Sequence, residues 1–518
     1  GDLMTNRPNI VYVLVDDMGY GDASCLNPVG RIRTPNIDRL AAQGMTFTDA
    51  HSTSAVCTPS RYSILTGRYN WRSTLQRGIV HPFGSPLIAE DRLTVAGFLR
   101  DHGYHTACIG KWHLGMGWDF DVTEDIVPKY EKGKSIAADL EPSDEQRELW
   151  RHSFSRRIHS GPTTRGFDWY FGVDVPNWPP YCYIENDHTV GMPSEFLPKR
   201  LVGNNLASIQ GPAMPYWHFE QLLPAFSIQA DRYIGERALA GEPFFLYLPL
   251  TSPHTPLAVN KPWIGKSGLN NLYADLVMET DDVLGRVLDS LDGHGVAHNT
   301  MVVFASDNGC APYIGAKELE AQGHYPSARF RGYKSDAWDG GHRIPHVIRW
   351  PGQIEPGSIC DQLVSLSDFT ATCAEIVGHS LPDNAAEDSV SMMPLFRGDP
   401  GARTTAVQHS IEGKFAIRDG RWKLVLCPGS GGWTYPDAQA AAERRPLTQL
   451  YDMETDPGET TNLVNDCRDE ARRLLRVLRS QVDAGRSTPG PAQRNDVEVD
   501  IWKRHTMPSA RPQETDDL

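Results

Sequence analysis

The chain has 518 residues, of which 40% are hydrophobic and 22% charged, and it carries a net charge of −15. Such a length buries a large core and predicts two domains, or one large domain with an appendage. The acidic excess is spread along the chain, which argues against nucleic-acid binding for want of a basic face, and the longest apolar run, Ile10 to Val15, is far too short to cross a bilayer.

No charged, apolar and small-residue leader opens the sequence. "GDLM" is either a scar before a native Met4, which goes with a cytoplasmic protein, or the remainder of a trimmed leader, which goes with a periplasmic or extracellular one. Nine cysteines are scattered without a CxxC pair, so most are expected to be buried small hydrophobes rather than a disulfide framework.

In chain order, "NIVYVLVDDMGYGD" opens with a β-branched run fitting a strand buried on both faces, and it stops at Asp16 and Asp17. "TPNIDRLAAQG" follows as a helix, with Thr34 as N-cap, Pro35 in the first turn and Gly44 as the stop. "CTPSRYSILTGR", residues 57 to 68, starts another: Thr58 can cap, Pro59 suits the first turn and Gly67 ends it. "RYNWRSTLQRG" then offers Trp71, Arg72 and Arg77 as possible rim residues. "YHTACIGKWHLG" is a second strand ending at Lys111 and His113. "DVPNWPPYCYIENDH" is loop-like, either a packing loop or a sugar-binding one in which Trp178, Tyr181 and Tyr183 stack on a ring while Glu185 or Asp187 holds hydroxyls.

"PFFLYLPLTSPHTP" is a third strand, followed by His254. "NLYADLVMETDDVLGRVLDSLDG" places Leu272, Leu276, Val283, Val287 and Leu291 on one helical face. "NTMVVFASDNG" is a fourth strand, followed by Asp307 and Asn308, and "KELEAQGHYPSARFRG" brings Glu318, His324 and Arg329 close before Lys334. Beyond residue 400 the pattern changes to a hairpin turning at Asp419-Gly420, a further strand in "LTQLYDMETDPGE", and an amphipathic helix carrying Leu474, Leu475, Leu478 and Val482. The expected fold is α/β, a mostly parallel sheet flanked by helices over 1–400. A smaller antiparallel α+β domain follows over 401–486, and an extended arm over 487–518. Four strands deliver ionisable or amide groups to one carboxyl edge, where such sheets bind ligands.

Three carboxylates and an amide, Asp16, Asp17, Asp307 and Asn308, are hard oxygen donors suited to Ca²⁺ or Mg²⁺. Cys57 would sit at a helix N-terminus, which favours an anion, with Arg61 one turn on. Three readings of Cys57 stand side by side: a buried thiol, a thiolate nucleophile, or a precursor of another group. A thiolate beside metal-binding carboxylates would be repelled, and a hard cation is a poor partner for sulfur.

"CTPSR" followed by "LTG" matches C-x-P-S-R-x-x-x-x-T-G, and the chain resembles the type I sulfatases of the alkaline-phosphatase-like superfamily. The similarity runs through "LVDDMGYGD", "GKWHLG", "SPHTP", "SDNG" and "RGYKSDAWDGGHRIP", in family order. The resemblance implies that a maturation enzyme oxidises Cys57 to formylglycine (3-oxoalanine), whose hydrate attacks sulfur. It implies Asp16, Asp17, Asp307, Asn308 and the residue-57 hydrate as calcium ligands, with Mg²⁺ also open. Arg61 would orient the hydrate, Lys111 and Lys334 would hold sulfate oxygens, His113 would be the base that breaks the sulfate hemiester, and His254 would meet the leaving oxygen. One departure is Asp339 in "WDGG", where the family more often has Glu.

The expected activity is exo-cleavage of terminal sulfated sugars, such as 6-O-sulfated hexosamine or galactose, with Trp178, Tyr181, Glu185, His324 and Arg329 as candidate substrate contacts. The alternatives are a phosphodiester or phosphonate monoester hydrolase of the same superfamily, and a non-catalytic binder of sulfated glycans. The oligomeric state is left open.

Overall fold

Apolar side chains on both faces leave Asn9–Val15 no side for solvent, and all seven residues are buried. It is one strand of a ten-stranded sheet in the computed structural model, which describes residues 7–121, 126, 139–202, 207–503 and 518. The strand order is Ser358–Cys360, Met45–Phe47, His346–Arg349, Thr300–Ser306, Asn9–Val15, Phe244–Pro249, His105–Lys111, Trp169–Val173, Tyr183–Glu185 and His188–Val190. Its centre is parallel: Asn9–Val15 pairs with Phe244–Pro249, which pairs with His105–Lys111, which pairs with Trp169–Val173. Antiparallel pairs lie toward its margins. Gly110 allows a close approach here, since a Cβ at this position would lie 2.0 Å from the Pro249 carbonyl oxygen. The four strands expected to end in reactive groups run His105–Lys111, Phe244–Pro249, Thr300–Ser306 and Asn9–Val15. Among the described residues no helix is long and apolar enough to cross a membrane.

The chain folds as two compact units. The first comprises 1–16, 80–91 and 96–303, and the second 17–79, 92–95 and 304–518. In the first, Leu222–Ala240 contacts Leu272–Gly293, the long helix whose N-cap Asn271 accepts a hydrogen bond from the Ala274 N–H at 2.8 Å. Leu272, the first residue of this helix, is 46% exposed, while Leu276, Val283, Val287 and Leu291 are buried.

In the second unit Pro35–Gln43 is helical as expected, but Thr34 makes no side-chain cap; its hydroxyl instead accepts the Ser24 N–H at 2.9 Å. The small sheet has four antiparallel strands, Thr405–His409, Phe415–Asp419, Trp422–Val425 and Gln449–Asp452, one more than the hairpin pattern displayed. Alternation gives it two apolar faces. Phe415, Ile417 and Leu424 pack with Leu474, Leu475 and Leu478 of helix Arg468–Ala484 and with Tyr69 and Trp71. Ala416, Val425 and Tyr451 face Ala337 and Trp338, which lie just beyond Lys334. Of the tail, residues 487–503 form no helix or strand, and they bind back through Asp496 on Arg68 and Asn495 on Arg72. Seven of the nine cysteines are buried.

Candidate active site

The Cys57 helix begins on the cysteine itself. It spans Cys57–Thr66 with Val56 as the extended N-cap residue, so Thr58 lies inside the first turn rather than capping it, while Pro59 stands in the first turn as expected. Gly67 ends it at φ 66°, a left-handed conformation that costs glycine nothing. The positive end of the helix dipole therefore lies at residue 57. Arg61, one turn on, is fully buried and donates from Nη2 to Asp307 Oδ2 at 2.9 Å.

The second unit gathers Asp17, Cys57, Arg61, Asp307, Asn308 and Lys334. The Asp17 N–H donates to Asp307 Oδ1 at 3.1 Å, Lys334 Nζ donates to Asp17 Oδ2 at 2.8 Å, and Asn308 Nδ2 donates to Asp17 Oδ1 at 2.8 Å. Asn308 Oδ1 is buried with no hydrogen-bond partner, a costly condition for an amide oxygen unless it has another electrophile to meet. Two carboxylates and this oxygen fit a hard divalent cation, and Asp16 directly precedes Asp17 in the chain.

The first unit holds Asp16, Lys111, His113 and His254. Lys111 Nζ donates to Asp16 Oδ2 at 2.7 Å, both side chains fully buried. His113 Nε2 lies 3.0 Å from the Val80 carbonyl oxygen. A carbonyl only accepts, so Nε2 carries a proton, and in the neutral ring Nδ1 carries the lone pair. His254 is the mirror case: its Nδ1 lies 2.6 Å from the Thr255 carbonyl oxygen, so Nε2 is the nitrogen that takes up or gives a proton. Asp17, His113 and Ser335 all have left-handed backbones, with φ of 69°, 54° and 84°. Non-glycine residues hold such conformations only where surrounding contacts impose them, commonly at functional positions.

The candidate substrate residues divide. Trp178 stands edge-on to the His113 ring at 5.5 Å, donating its indole N–H to the Ala207 carbonyl. Glu185 and Arg329 are exposed, Glu185 at the register position opposite Phe171. Tyr181 is 1% exposed with its hydroxyl on the Ile209 carbonyl, and His324 is 0% exposed with Nε2 on Asp22 Oδ1 at 2.7 Å. Both are packing residues in this structure, since their polar atoms are spent on the fold. Trp71 and Arg72 likewise leave the rim: Trp71 stacks on Tyr69 in the small-domain core, and Arg72 grips Asp388 from Nε at 2.9 Å. Asp339 lies in a buried ionic network with Lys423 at 2.8 Å and Arg343 at 2.9 Å, and those cations hold its carboxyl well below the usual range despite burial.

Two residues went unread in the sequence. His81 is exposed and stacks on Trp178 at 6.1 Å; nothing local marks it. Asp174 follows strand Trp169–Val173 directly, the same strand-end rule that located the other groups, and its carbonyl accepts the His113 N–H at 3.0 Å. Its Oδ1 is buried without a hydrogen-bond partner. Burial pushes this carboxyl from 3.8 up to about 6, against the opposing pull of the His113 N–H and the Lys111 ammonium.

A raised carboxylate pKa means that the folded state binds more protons than the unfolded chain between pH 3.8 and about 6, so Asp174 subtracts stability as pH rises through that window. Asp174→Asn removes this term. The melting temperature of the variant relative to wild type is expected to increase between pH 4.5 and pH 7, each about one unit outside or inside the window's edges. A difference that is flat with pH would contradict the assignment.

Comparison with known proteins adds an independent line. The family described as Sulfatase matches residues 8–379, and the family described as N-sulphoglucosamine sulphohydrolase, C-terminal, matches residues 334–487. The chain is 31% identical to an N-acetylgalactosamine-6-O-sulfatase of Bacteroides thetaiotaomicron, over 92% of this chain and 93% of that one. It is 28% identical to human arylsulfatase A, over 95% and 91%. A solved structure described under "Metabolism of multiple glycosaminoglycans by Bacteroides thetaiotaomicron" superposes with a TM-score of 0.77 at 29% identity, covering 92% of this chain and 99% of that one.

Proposed function

The chain belongs to the sulfatase family and is a sulfuric ester hydrolase, and from that premise we propose that it removes sulfate from terminal sulfated sugars, with 6-O-sulfated N-acetylgalactosamine as the first substrate to try. The observation that carries this reading is the likeness to a 6-O-sulfatase of that sugar along nearly the whole of both chains. The catalytic and ligand positions named from sequence support it: Cys57, Arg61, Lys111, His113 and Lys334 are buried, as are Asp16, Asp17, Asp307 and Asn308.

In this reading Asp16, Asp17, Asp307 and Asn308 hold a divalent cation, Ca²⁺ by resemblance to the type I sulfatases, with Mg²⁺ equally suited to such hard donors, and a maturation enzyme converts Cys57 to formylglycine. The cation supplies positive charge toward the sulfate oxygens, and the hydrate of the converted residue supplies the attacking oxygen. The chain's own residues do the rest. Lys111 and Lys334 present ammonium donors to sulfate oxygens on which charge builds in the transition state. Arg61, locked on Asp307, presents a fixed guanidinium toward the helix N-terminus. His254, when its ring is protonated on both nitrogens, gives the Nε2 proton to the departing sugar oxygen, and His113 takes one at Nδ1 when sulfate is expelled from residue 57. We further propose a domain order of catalytic 1–400, small 401–486 and C-terminal arm 487–518. The four-strand sheet and helix Arg468–Ala484, both inside the second span, support it.

The test is mass spectrometry of the tryptic peptide Leu40 to Arg61, after co-expression with a formylglycine-generating enzyme, together with sulfate release from 6-O-sulfated N-acetylgalactosamine. Formylglycine at position 57 with stoichiometric sulfate release supports the proposal. Formylglycine without release from any sulfated sugar in a panel would remove the substrate class, and unconverted cysteine would remove the mechanism.

A further inference from the structure

We propose that Tyr313 and Trp433 form a stacking platform for the sugar ring adjoining the sulfated one, so that the enzyme favours a sulfated residue at the end of an oligosaccharide over the free monosaccharide. The inference rests on the sulfated-sugar reading above and names where the rest of that substrate lies.

Scattered surface hydrophobics are ordinary, but these two are a pair and they are placed. Trp433 is 44% exposed and Tyr313 45% exposed, their ring centroids 6.0 Å apart with planes tilted by 44°. Each is tied by the backbone to a residue of the site. The Trp433 N–H donates to Ser335 Oγ at 2.9 Å, and Ser335 is the neighbour of Lys334. The Ser335 N–H donates in turn to the Ala55 carbonyl at 2.9 Å, two residues before Cys57. On the other side, the Lys334 N–H donates to the Cys310 carbonyl at 2.9 Å, and Tyr313 follows in the short helix Pro312–Ile314. Asp307 and Asn308 lead into this segment.

The Trp433 loop is fastened, not adrift. Thr434 donates to Asp336 from both its N–H and its hydroxyl, and the Ala337 N–H donates to the Ser430 carbonyl at 2.7 Å. A loop held this firmly pays little entropy when a ligand settles on it. Tyr435 extends the strip, 71% exposed with the Arg444 guanidinium 5.3 Å above its ring. Aromatic faces edged by polar tips match a pyranose, whose C–H face is apolar and whose rim is hydroxyl. The sulfate-holding side chains are buried whereas this pair is open, which suits the part of the substrate that stays outside.

The experiment compares kcat/KM for 6-O-sulfated N-acetylgalactosamine and for a disaccharide bearing that residue at its non-reducing end. For Trp433→Ala and, separately, Tyr313→Ala, the disaccharide-to-monosaccharide ratio is expected to fall about tenfold, with Trp433→Phe retaining most of it. Two variants on separate segments guard against one loop failing to fold, and melting temperatures report that directly. An unchanged ratio in both folded variants overturns the platform. Wild-type enzyme that releases sulfate from neither sugar overturns the function proposed above, and the platform with it.

Discussion

Cys57→Ala is expected to lower kcat on a sulfated sugar by about four orders of magnitude or more while leaving the fold in place. The methyl group cannot be oxidised to an aldehyde, so the attacking oxygen is never made, whatever else the site retains. The stability cost is small by comparison, about 1 kcal/mol or less for trimming one sulfur from a buried position, and the helix keeps Val56 as its N-cap residue and Gly67 as its stop. Circular dichroism and a thermal melt confirm the fold, and single-turnover sulfate release reads the chemistry. Retention of more than about one per cent of the rate, well above what loss of a nucleophile leaves, would mean that residue 57 is not the nucleophile.

Arg61→Ala is expected to hurt twice. Arg61 and Asp307 are both fully buried and joined at 2.9 Å, and removing one partner strands the other's charge, at a cost of about 3–5 kcal/mol. Loss of the guanidinium also removes a fixed positive donor at the reacting end of the helix, worth about 10²–10³ in kcat. Calcium separates the two effects. If Asp307 is a cation ligand, the melting-temperature deficit of Arg61→Ala is larger in chelator than in millimolar calcium, because the ion takes over the neutralisation of Asp307. Activity is not restored by calcium, since no ion replaces the guanidinium. A deficit identical in both conditions would show that Asp307 holds no ion.

The site was readable to the extent that its residues announce themselves locally. Asp16, Asp17, His254, Asp307 and Asn308 each follow an apolar strand within a few residues and Lys111 ends one, and a strand written as consecutive Val, Ile and Phe is recognisable from its neighbours alone. The peripheral residues were not readable in the same way. Tyr181 and Trp178 stand three apart in one aromatic loop, yet Tyr181 turned inward onto the Ile209 carbonyl while Trp178 flanks His113. His324 looked like a rim histidine because it comes shortly before Lys334 in the chain, but its partner, Asp22, lies 302 positions away.

By itself, then, the sequence determined the alternation of strands and helices, the order of the motifs and the presence of hard oxygen donors, cationic side chains and a thiol at a helix start. These follow from side-chain periodicity and residue type, which are properties of short stretches. The tertiary structure alone decided which polar groups are consumed by packing and which are left for chemistry. It gave His113 and His254 opposite tautomers through the carbonyls of Val80 and Thr255, left Oδ1 of Asp174 and of Asn308 buried and unpaired, and packed one face of the small sheet against Ala337 and Trp338, beside Lys334. Those outcomes depend on contacts between residues far apart in the chain, and the free energy of a buried polar group is set by the partner it finds there, which no local pattern encodes.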